Sequence, residues 1–212
     1  SGGREHALAW KTQRDPQVTQ VFVAPGNAGT ALEGCINVEI DVMDFDAQIA
    51  FAQEQGIDLT IIGPEDPLVN GITNKFKKAG IKCFGPESLG AQLEGSKDFA
   101  KAFMKRHNIP TASYESFTNA NKAKKYIKEN KLPLVIKADG LAAGKGVAIC
   151  KTKKEVLKIS KEIFKGKFKT SKKLVLEEFL KGEEASYFLI VDKKNYKFFG
   201  SAQDHKRCLL YT

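Results

Sequence analysis

Long apolar runs, paired cysteines and histidines are all scarce in this 212-residue sequence. No apolar run reaches the ~18 residues that a membrane span needs, and no charged start followed by an apolar stretch marks a secretory signal. The four cysteines are scattered without a CxxC pair, a pattern typical of reduced cytosolic thiols and not of disulfides or a zinc site. We therefore expect a cytoplasmic protein with no membrane partner.

Acidic side chains are too few to balance the basic ones, with 25 Asp and Glu against 34 Lys and Arg and a net charge of +9. Much of the excess lies in residues 122–131 and 151–173. A basic stripe is the electrostatic signature of nucleic-acid binding. Here, however, the lysines fall on helix-like segments beside Glu129, Glu155 and Glu162, with few aromatic residues between them. The pattern favours a solvated surface, and we expect no nucleic-acid partner.

Short apolar runs alternate with helix-spaced segments through the first 94 residues. We predict strands at 21–24, 38–40, 59–62 and 82–84, the third of them buried, and helices at 6–11, 44–55, 69–79 and 88–93. This alternation indicates an α/β domain with a doubly wound parallel sheet. Ligands of such sheets bind beyond the carboxyl ends of the strands, where the loops at 25–29 and 63–65 lie.

Residues 94–96, Glu-Gly-Ser, interrupt the pattern, and we place a domain boundary there, giving domains at 1–94 and 95–212. The second part mixes helices at 96–107, 119–130 and 152–164 with strands at 112–117, 134–137, 147–150, 174–178, 185–191 and 198–201. Ser96 is a plausible helix cap, and Thr152 with Glu155 fits a capping box. This composition predicts an α+β domain.

A glycine-rich loop lies between the predicted strands at 134–137 and 147–150. Gly140, Gly144 and Gly146 let the backbone approach another molecule closely, and Lys137 and Lys145 supply ammonium groups. Backbone N–H groups and ammonium groups together make a polyphosphate cradle. The spacing is not that of a Walker A motif, which also needs Ser or Thr after its lysine. An ordinary glycine-rich hairpin turn remains an alternative.

The segment EEFLKGEE follows the predicted strand at 174–178. An extended edge at Glu178 to Leu180 can offer backbone groups to an adenine ring, and Glu184 can accept hydrogen bonds from ribose hydroxyls. Lys97, Lys137, the glycine-rich loop and this segment follow one another along the chain. Their order resembles that of the ATP-grasp fold, in which a nucleotide lies between two α+β subdomains.

The resemblance extends to one family of that superfamily, the phosphoribosylamine–glycine ligases, also called glycinamide ribonucleotide synthetases. It rests on eight segments in order: GGREHALAWK, VAPGNAGTALE, GPEDPLV, FGP, AQLEGSKDFAKAFM, KADGLAAGKGV, EEFLKGEEAS and QDHKR. Together they cover the chain from residue 1 to about residue 207. The implied fold is a parallel-sheet domain of the kind that precedes ATP-grasp domains, followed by part of an ATP-grasp domain.

The resemblance implies two sets of binding residues and no assigned catalytic residue. The residues expected at ATP are Lys97, Lys137, Gly140, Gly144, Lys145, Gly146, Glu177, Glu178, Phe179, Leu180 and Glu184. The residues expected near phosphoribosylamine and glycine are Gly2, Gly3, Pro25, Gly26, Asn27, Gly63, Pro64, Glu65, Asp204, His205 and Lys206. The implied cofactors are ATP and Mg²⁺.

The implied reaction joins glycine to 5-phosphoribosylamine in de novo purine biosynthesis. ATP converts the glycine carboxylate to glycyl phosphate, and the amine of phosphoribosylamine attacks the acyl carbon. Such an enzyme mainly positions reactants and neutralises phosphate charge. It needs no nucleophilic Ser or Cys, and the sequence sets up none.

The chain departs from the family pattern in three places. The family has a strand ahead of GGREHA, and it continues past QDHKR with a segment that holds the magnesium ligands, which residues 208–212 do not resemble. Residues 166–172 also differ from the family's loop. We therefore expect an N-terminal portion of the ligase with an incomplete catalytic centre. A non-catalytic ATP-binding or regulatory chain and, less favoured, a basic nucleic-acid-binding module remain alternatives.

Overall fold

The computed structural model describes residues 2–141, 146–168, 172–192 and 194–204. Their strands form two parallel pairs, one antiparallel hairpin and one four-stranded antiparallel sheet. No helix among these residues is both long and apolar enough to cross a membrane. The expected combination of a parallel-sheet region and a following α+β region is confirmed.

Short strands and helices alternate through the first part of the chain. Its elements are α1 (Gly3–Gln13), β1 (Phe22–Val23), α2 (Ala28–Leu32), β2 (Ile36–Asn37), α3 (Phe45–Glu54), β3 (Thr60–Ile61), α4 (Glu65–Val69), α5 (Ile72–Lys78), β4 (Cys83–Phe84) and α6 (Ser88–Gly95). Strands β1 and β2 pair in parallel, as do β3 and β4. The side chains of Phe45, Ala52, Ile72 and Phe76 form the buried centre of this part.

One predicted strand and one predicted helix in this part differ from the structure. The strand expected at 38–40 lies at Ile36–Asn37 instead, because the Ile40 N–H turns back to the Val38 carbonyl at 2.7 Å and takes the chain out of the sheet. The helix expected at 69–79 is divided into α4 and α5. Gly71 lies between them with a φ of 88°, a left-handed conformation that glycine adopts readily and that interrupts a helix.

A cavity of about 440 Å³ lies between the two parallel pairs. Backbone and side chains of β1 and β3 line it, and their facing edges pair with no other strand among the described residues. Leu59 and Ile61, expected in a buried strand, are 53% and 39% exposed. That expectation is wrong for the described residues because nothing described covers this edge of β3.

The second part of the chain is built on the four-stranded sheet. Its elements are α7 (Lys97–Arg106), β5 (Tyr114–Phe117), α8 (Ala120–Glu129), β6 (Leu134–Ala138), β7 (Val147–Cys150), α9 (Lys153–Phe164), β8 (Leu174–Glu178), β9 (Glu184–Asp192) and β10 (Asn195–Asp204). The strand order is β5-β8-β6-β7, with every neighbouring pair antiparallel. Strand β8 coincides with its prediction.

Helices α8 and α9 cover one face of this sheet. Ile127 of α8 and Val156 of α9 pack with Ile136, Leu174 and Leu176, all fully buried. The apolar residues of both helices recur at helical spacing, so their lysines fall on the opposite, solvent-facing side. The predicted capping box is present at the start of α9.

Strands β9 and β10 form a long hairpin with exposed apolar side chains. The rings of Tyr187 and Phe198 stack across it with centroids 4.6 Å apart. Phe188, Val191 and Phe199 are also largely exposed. Exposed apolar patches of this kind mark surfaces that other protein segments cover.

The cavity between β1 and β3 leads to a prediction about stability. Extending the chain ahead of residue 1 by six Val and Ile residues should raise the melting temperature, because a parallel strand there would cover both open edges. A gain of roughly 2 kcal/mol corresponds to burying about 80 Å² of apolar surface. Calorimetry should show the gain for this extension and not for six Gly, Ser and Asn residues. Equal melting temperatures would mean that the gap does not accept a strand.

Candidate functional site

We call the face of the four-stranded sheet opposite α8 and α9 its open face, because it is exposed along β7, although Val175 and Glu177 of β8 are buried there. Residues directly opposed in antiparallel strands share a face. Val135 lies opposite Glu177 and Ile149, and Lys137 lies opposite Val147, so these side chains all belong to the open face. Val147 and Ile149 are 45% and 46% exposed and form an apolar surface beside Lys137. A charged group and an apolar platform are therefore adjacent on one face.

Glu177 is the buried acidic group at the centre of this face, and only 5% of it is exposed. Its Oε2 atom lies 2.9 Å from Lys137 Nζ and 3.2 Å from Lys101 Nζ. Its Oε1 atom is buried and accepts no hydrogen bond from the described residues. The arrangement combines two ammonium groups with one carboxylate, and it leaves one carboxylate oxygen for a further donor.

Lys101 was missed by the sequence analysis. It lies on α7 and is 6% exposed, and besides Glu177 it donates to Thr111 Oγ1 at 2.7 Å and to the Ala112 carbonyl at 3.2 Å. The signal that could have identified it is its position four residues after Lys97, which places both lysines on one side of a helix.

The first residues of the glycine-rich loop contact the start of α7. Asp139, itself buried, accepts hydrogen bonds from Ser96 Oγ at 3.0 Å and from the Asp98 N–H at 3.1 Å. Lys97 Nζ donates to the Gly140 carbonyl at 2.9 Å. Ser96 also caps α7, as predicted, by accepting from the Phe99 N–H. The predicted residues Lys97 and Gly140 are therefore in direct contact.

Burial lowers the pKa of the Lys97 ammonium group, although the nearby carboxylates of Asp139 and Glu94 act in the opposite direction. The far end of the loop is close to its start, because the Ala138 N–H donates to the Gly146 carbonyl at 2.7 Å. Gly144 and Lys145, predicted at the phosphates, lie outside the described residues.

The predicted adenine segment continues from β8. The Glu178 N–H donates to the Ser113 carbonyl at 3.0 Å, and the Glu178 carboxylate accepts from the Ser113 N–H at 2.7 Å. The backbone N–H of Glu178 is therefore already hydrogen-bonded within the protein. Phe179 is half-buried and Leu180 is 61% exposed. Glu184 begins β9, where it is paired in register with Asp204.

The loops predicted at the second substrate meet around the start of α1. The Gly2 N–H donates to Glu5 Oε2 at 2.7 Å, and Arg4 pairs with Glu65 at 3.0 Å. A Cβ atom on Gly63 would lie 2.8 Å from Glu5 Cγ, so a larger residue there would force the Glu5 side chain to move. Gly3 is the first residue of α1, and Pro64 occupies the N-cap position of α4, next to Glu65.

The loop of Pro25, Gly26 and Asn27 is fixed by hydrogen bonds to its neighbours. Asn27 caps α2 by accepting from the Thr30 N–H, and Asn37 Nδ2 donates to the Asn27 carbonyl at 2.8 Å. Gly26 has a φ of 78°, and a Cβ atom there would lie 2.1 Å from Asn37 Oδ1. The loop is held in a conformation that needs glycine.

Asp204 is paired in register with Glu184, predicted at the ribose, across the hairpin of β9 and β10. His205 and Lys206 lie outside the described residues. No group of three or more His, Cys, Asp or Glu side chains that could hold a metal ion occurs among residues 2–141, 146–168, 172–192 and 194–204.

Comparison with protein families gives two matches that together run from residue 1 to residue 210. Residues 1–94 match the phosphoribosylglycinamide synthetase N domain. Residues 95–210 match the phosphoribosylglycinamide synthetase ATP-grasp (A) domain.

Individual relatives agree with these matches. The chain is 51% identical over 210 residues to a phosphoribosylamine–glycine ligase of Haemophilus influenzae, covering 98% of this chain and 49% of that protein. The solved phosphoribosylamine–glycine ligase of Thermotoga maritima superposes with a TM-score of 0.74 at 32% identity, covering 93% of this chain and 47% of that one. The chain thus spans about half the length of the relatives it matches.

A biotin carboxylase of Campylobacter jejuni, solved as a complex with β-γ-ATP, has the same fold at lower identity. Its TM-score is 0.73 at 20% identity, covering 96% of this chain and 49% of that one.

The ion pair of Asp98 with Lys173, at 2.6 Å beside the loop start, leads to a pH-dependent prediction. Burial is the largest single influence and acts to raise the Asp98 pKa, but the hydrogen bond and charge of Lys173 and the side chain of Ser116 together outweigh it and hold that pKa below its ordinary value. A lowered carboxyl pKa stabilises the fold above the unfolded-state pKa, and this contribution is lost as pH falls through the folded-state pKa.

Asp98→Asn should therefore cost about 1 kcal/mol of unfolding free energy at pH 7. The difference from the unsubstituted chain should shrink below about pH 4, where the carboxyl group becomes protonated. Urea unfolding at several pH values measures both. Asp46→Asn, at an exposed ion pair with Lys75, is the matched control. A difference that stays constant down to pH 2 would contradict the assignment.

Proposed function

This chain belongs to the phosphoribosylglycinamide synthetase family, and on that premise we propose that it binds ATP on the open face of its four-stranded sheet. We further propose that it takes part in the ATP-dependent ligation of glycine to 5-phosphoribosylamine, which gives glycinamide ribonucleotide in de novo purine biosynthesis. Its partners are then small molecules, and its location is the cytoplasm.

The observation that carries the proposal is the group of Lys101, Glu177 and Lys137 beside an apolar platform. Lys137 is the most exposed of the three, with 27% of its side chain accessible, and Glu177 is its only partner among the described residues. An ammonium group in this position suits a phosphate oxygen. Val147 and Ile149 offer the apolar contact that a nucleobase needs. Gly140, Gly144, Lys145 and Gly146 would contribute backbone and charge at the phosphates.

The base and ribose fit the segment that leaves β8. Because the Glu178 N–H is used by Ser113, the backbone contacts of Glu178 with adenine are limited to its carbonyl. Leu180 is exposed and can supply the complementary N–H. We assign the ribose hydroxyls to the carboxylate of Glu184, which lies at the start of β9.

The second substrate fits the loops around α1. Gly2, Gly3, Gly63 and Gly26 keep side chains away from these loops, and α1 begins among them. An anionic phosphate is favoured at the N-terminus of a helix. We assign phosphoribosylamine and glycine to this region. Pro25, Asn27, Pro64 and Glu65 complete the set, and Asp204, His205 and Lys206 would approach it from the hairpin.

The chemistry follows from these positions. ATP phosphorylates the glycine carboxylate, and the amine of phosphoribosylamine displaces phosphate from glycyl phosphate. Lys97 and Lys137 would neutralise phosphate charge, and the loops would hold the amine in line. Mg²⁺ is the expected companion of ATP, but the described residues include no group of three or more His, Cys, Asp or Glu side chains that could hold it. We therefore assign no step to the metal on these residues.

Nucleotide binding can be tested by thermal stability. Mg-ATP at about 100 times its dissociation constant should stabilise the chain by about 2.7 kcal/mol. Lys137→Met keeps the aliphatic stem and removes the charge, so the affinity for ATP should fall at least about tenfold, because a charged hydrogen bond contributes about 1.5–3 kcal/mol. Lys124→Met, on the exposed side of α8, is the control. No stabilisation at several millimolar Mg-ATP would exclude the site.

Participation in ligation can be tested by complementation. The chain alone should bind ATP without releasing ADP, because the described residues include no group of three or more metal-ligating side chains. A fusion to the part of the Haemophilus influenzae ligase that this chain does not match should release ADP only when glycine and phosphoribosylamine are both present. ADP release by the chain alone, or a fusion that binds ATP but never turns over, would contradict the proposal.

A further inference from the structure

We infer that Lys101 is a positioning residue that neutralises Glu177 and thereby leaves the ammonium group of Lys137 available to an anionic ligand. The inference rests on the proposed nucleotide site and adds a residue to it that never touches the nucleotide. The inference is that Lys101 determines the net charge of the site.

Lys101 has no capacity left for a ligand. Its ammonium group has three N–H donors. Three acceptors surround it: Glu177 Oε2 at 3.2 Å, Thr111 Oγ1 at 2.7 Å and the Ala112 carbonyl at 3.2 Å. Only 6% of the residue is exposed. Its effect on a ligand must therefore pass through its partners.

Glu177 is the partner through which it acts. Both lysines approach the same oxygen, Oε2, and the carboxylate is buried. Without Lys101, the single negative charge of Glu177 would be balanced by Lys137 alone, and the pair would carry no net charge. With Lys101 present, the three groups carry one net positive charge. Because Lys101 is buried and Lys137 is partly exposed, that charge faces the ligand through Lys137.

The charges of Glu177 and Lys101 should affect anion binding strongly because both side chains are buried. The attraction between an ammonium group and a phosphate grows as water is excluded from around them. Glu177 and Lys101 lie among the buried residues of the sheet and α7, so salt screens their charges less than those of the lysines of α8 and α9. Changing Lys101 should therefore alter anion binding although the residue makes no contact with the anion.

The experiment uses two probes, inorganic tripolyphosphate and ADP, each titrated calorimetrically into the chain. Tripolyphosphate reports the charge of the site without any contribution from the base. Lys101→Met should weaken tripolyphosphate binding about five- to tenfold, the scale expected for removing one partly screened unit charge. Glu177→Gln should have the opposite effect and strengthen it, because Lys137 then loses its carboxylate partner.

The double variant distinguishes charge from structure. Lys101→Met combined with Glu177→Gln restores one net positive charge, so its tripolyphosphate affinity should return to within about twofold of the unsubstituted chain. Thr111→Val removes one acceptor of Lys101 without changing any charge and should leave tripolyphosphate affinity unchanged. A purely structural role for Lys101 predicts equal losses in Lys101→Met and Thr111→Val, with no rescue.

Each outcome decides a separate question. If the unsubstituted chain binds neither tripolyphosphate nor ADP, the proposed nucleotide site fails, and this inference fails with it. If it binds both and Lys101→Met is folded with unchanged affinity, only the inference is overturned. If Lys101→Met does not fold, Glu177→Gln and the double variant decide. Tighter tripolyphosphate binding by Glu177→Gln and near-normal binding by the double variant support the inference. Weaker binding by Glu177→Gln overturns it.

Discussion

The contact of Glu177 with two lysines is the interaction on which the proposed site depends. A buried carboxylate is costly unless it is paired and hydrogen-bonded, and here one oxygen receives both Lys101 and Lys137. The contact joins α7, β6 and β8, so it ties the helix that begins next to the glycine-rich loop to the centre of the sheet. It also sets the charge that a phosphate would meet.

The two faces of the sheet explain why the buried Glu177 carboxylate and its two lysine partners are tolerated. On one face, Ile136, Leu174 and Leu176 pack under α8 and α9 and supply the apolar core. The same strands alternate their side chains, so Lys137 and Glu177 must point to the other face. The apolar side chains under α8 and α9 and the charged groups Lys137 and Glu177 therefore lie on opposite faces of the same strands.

The sequence predicts those parts of the fold that local signals determine. The capping box of α9, the cap of α7 by Ser96 and the strand β8 were all found from short-range patterns. The break at Gly71 and the place of β2 depend on backbone turns that residue types alone do not specify. Lys101 was missed because its role arises from β8, 76 positions away in the chain. Nucleotide assignments at Lys97, Glu178 and Glu184 remain predictions.

The central claim is that a nucleotide lies on the open face, against Glu177 and the segment after β8. Photolabelling with 8-azido-ATP, followed by mass spectrometry of the labelled peptides, tests it most directly. The label should fall on the peptide containing residues 174–184 or on Val147 and Ile149, and excess ATP should prevent it. Labelling confined to the lysine-rich helices α8 and α9, or labelling that ATP does not reduce, would contradict the account.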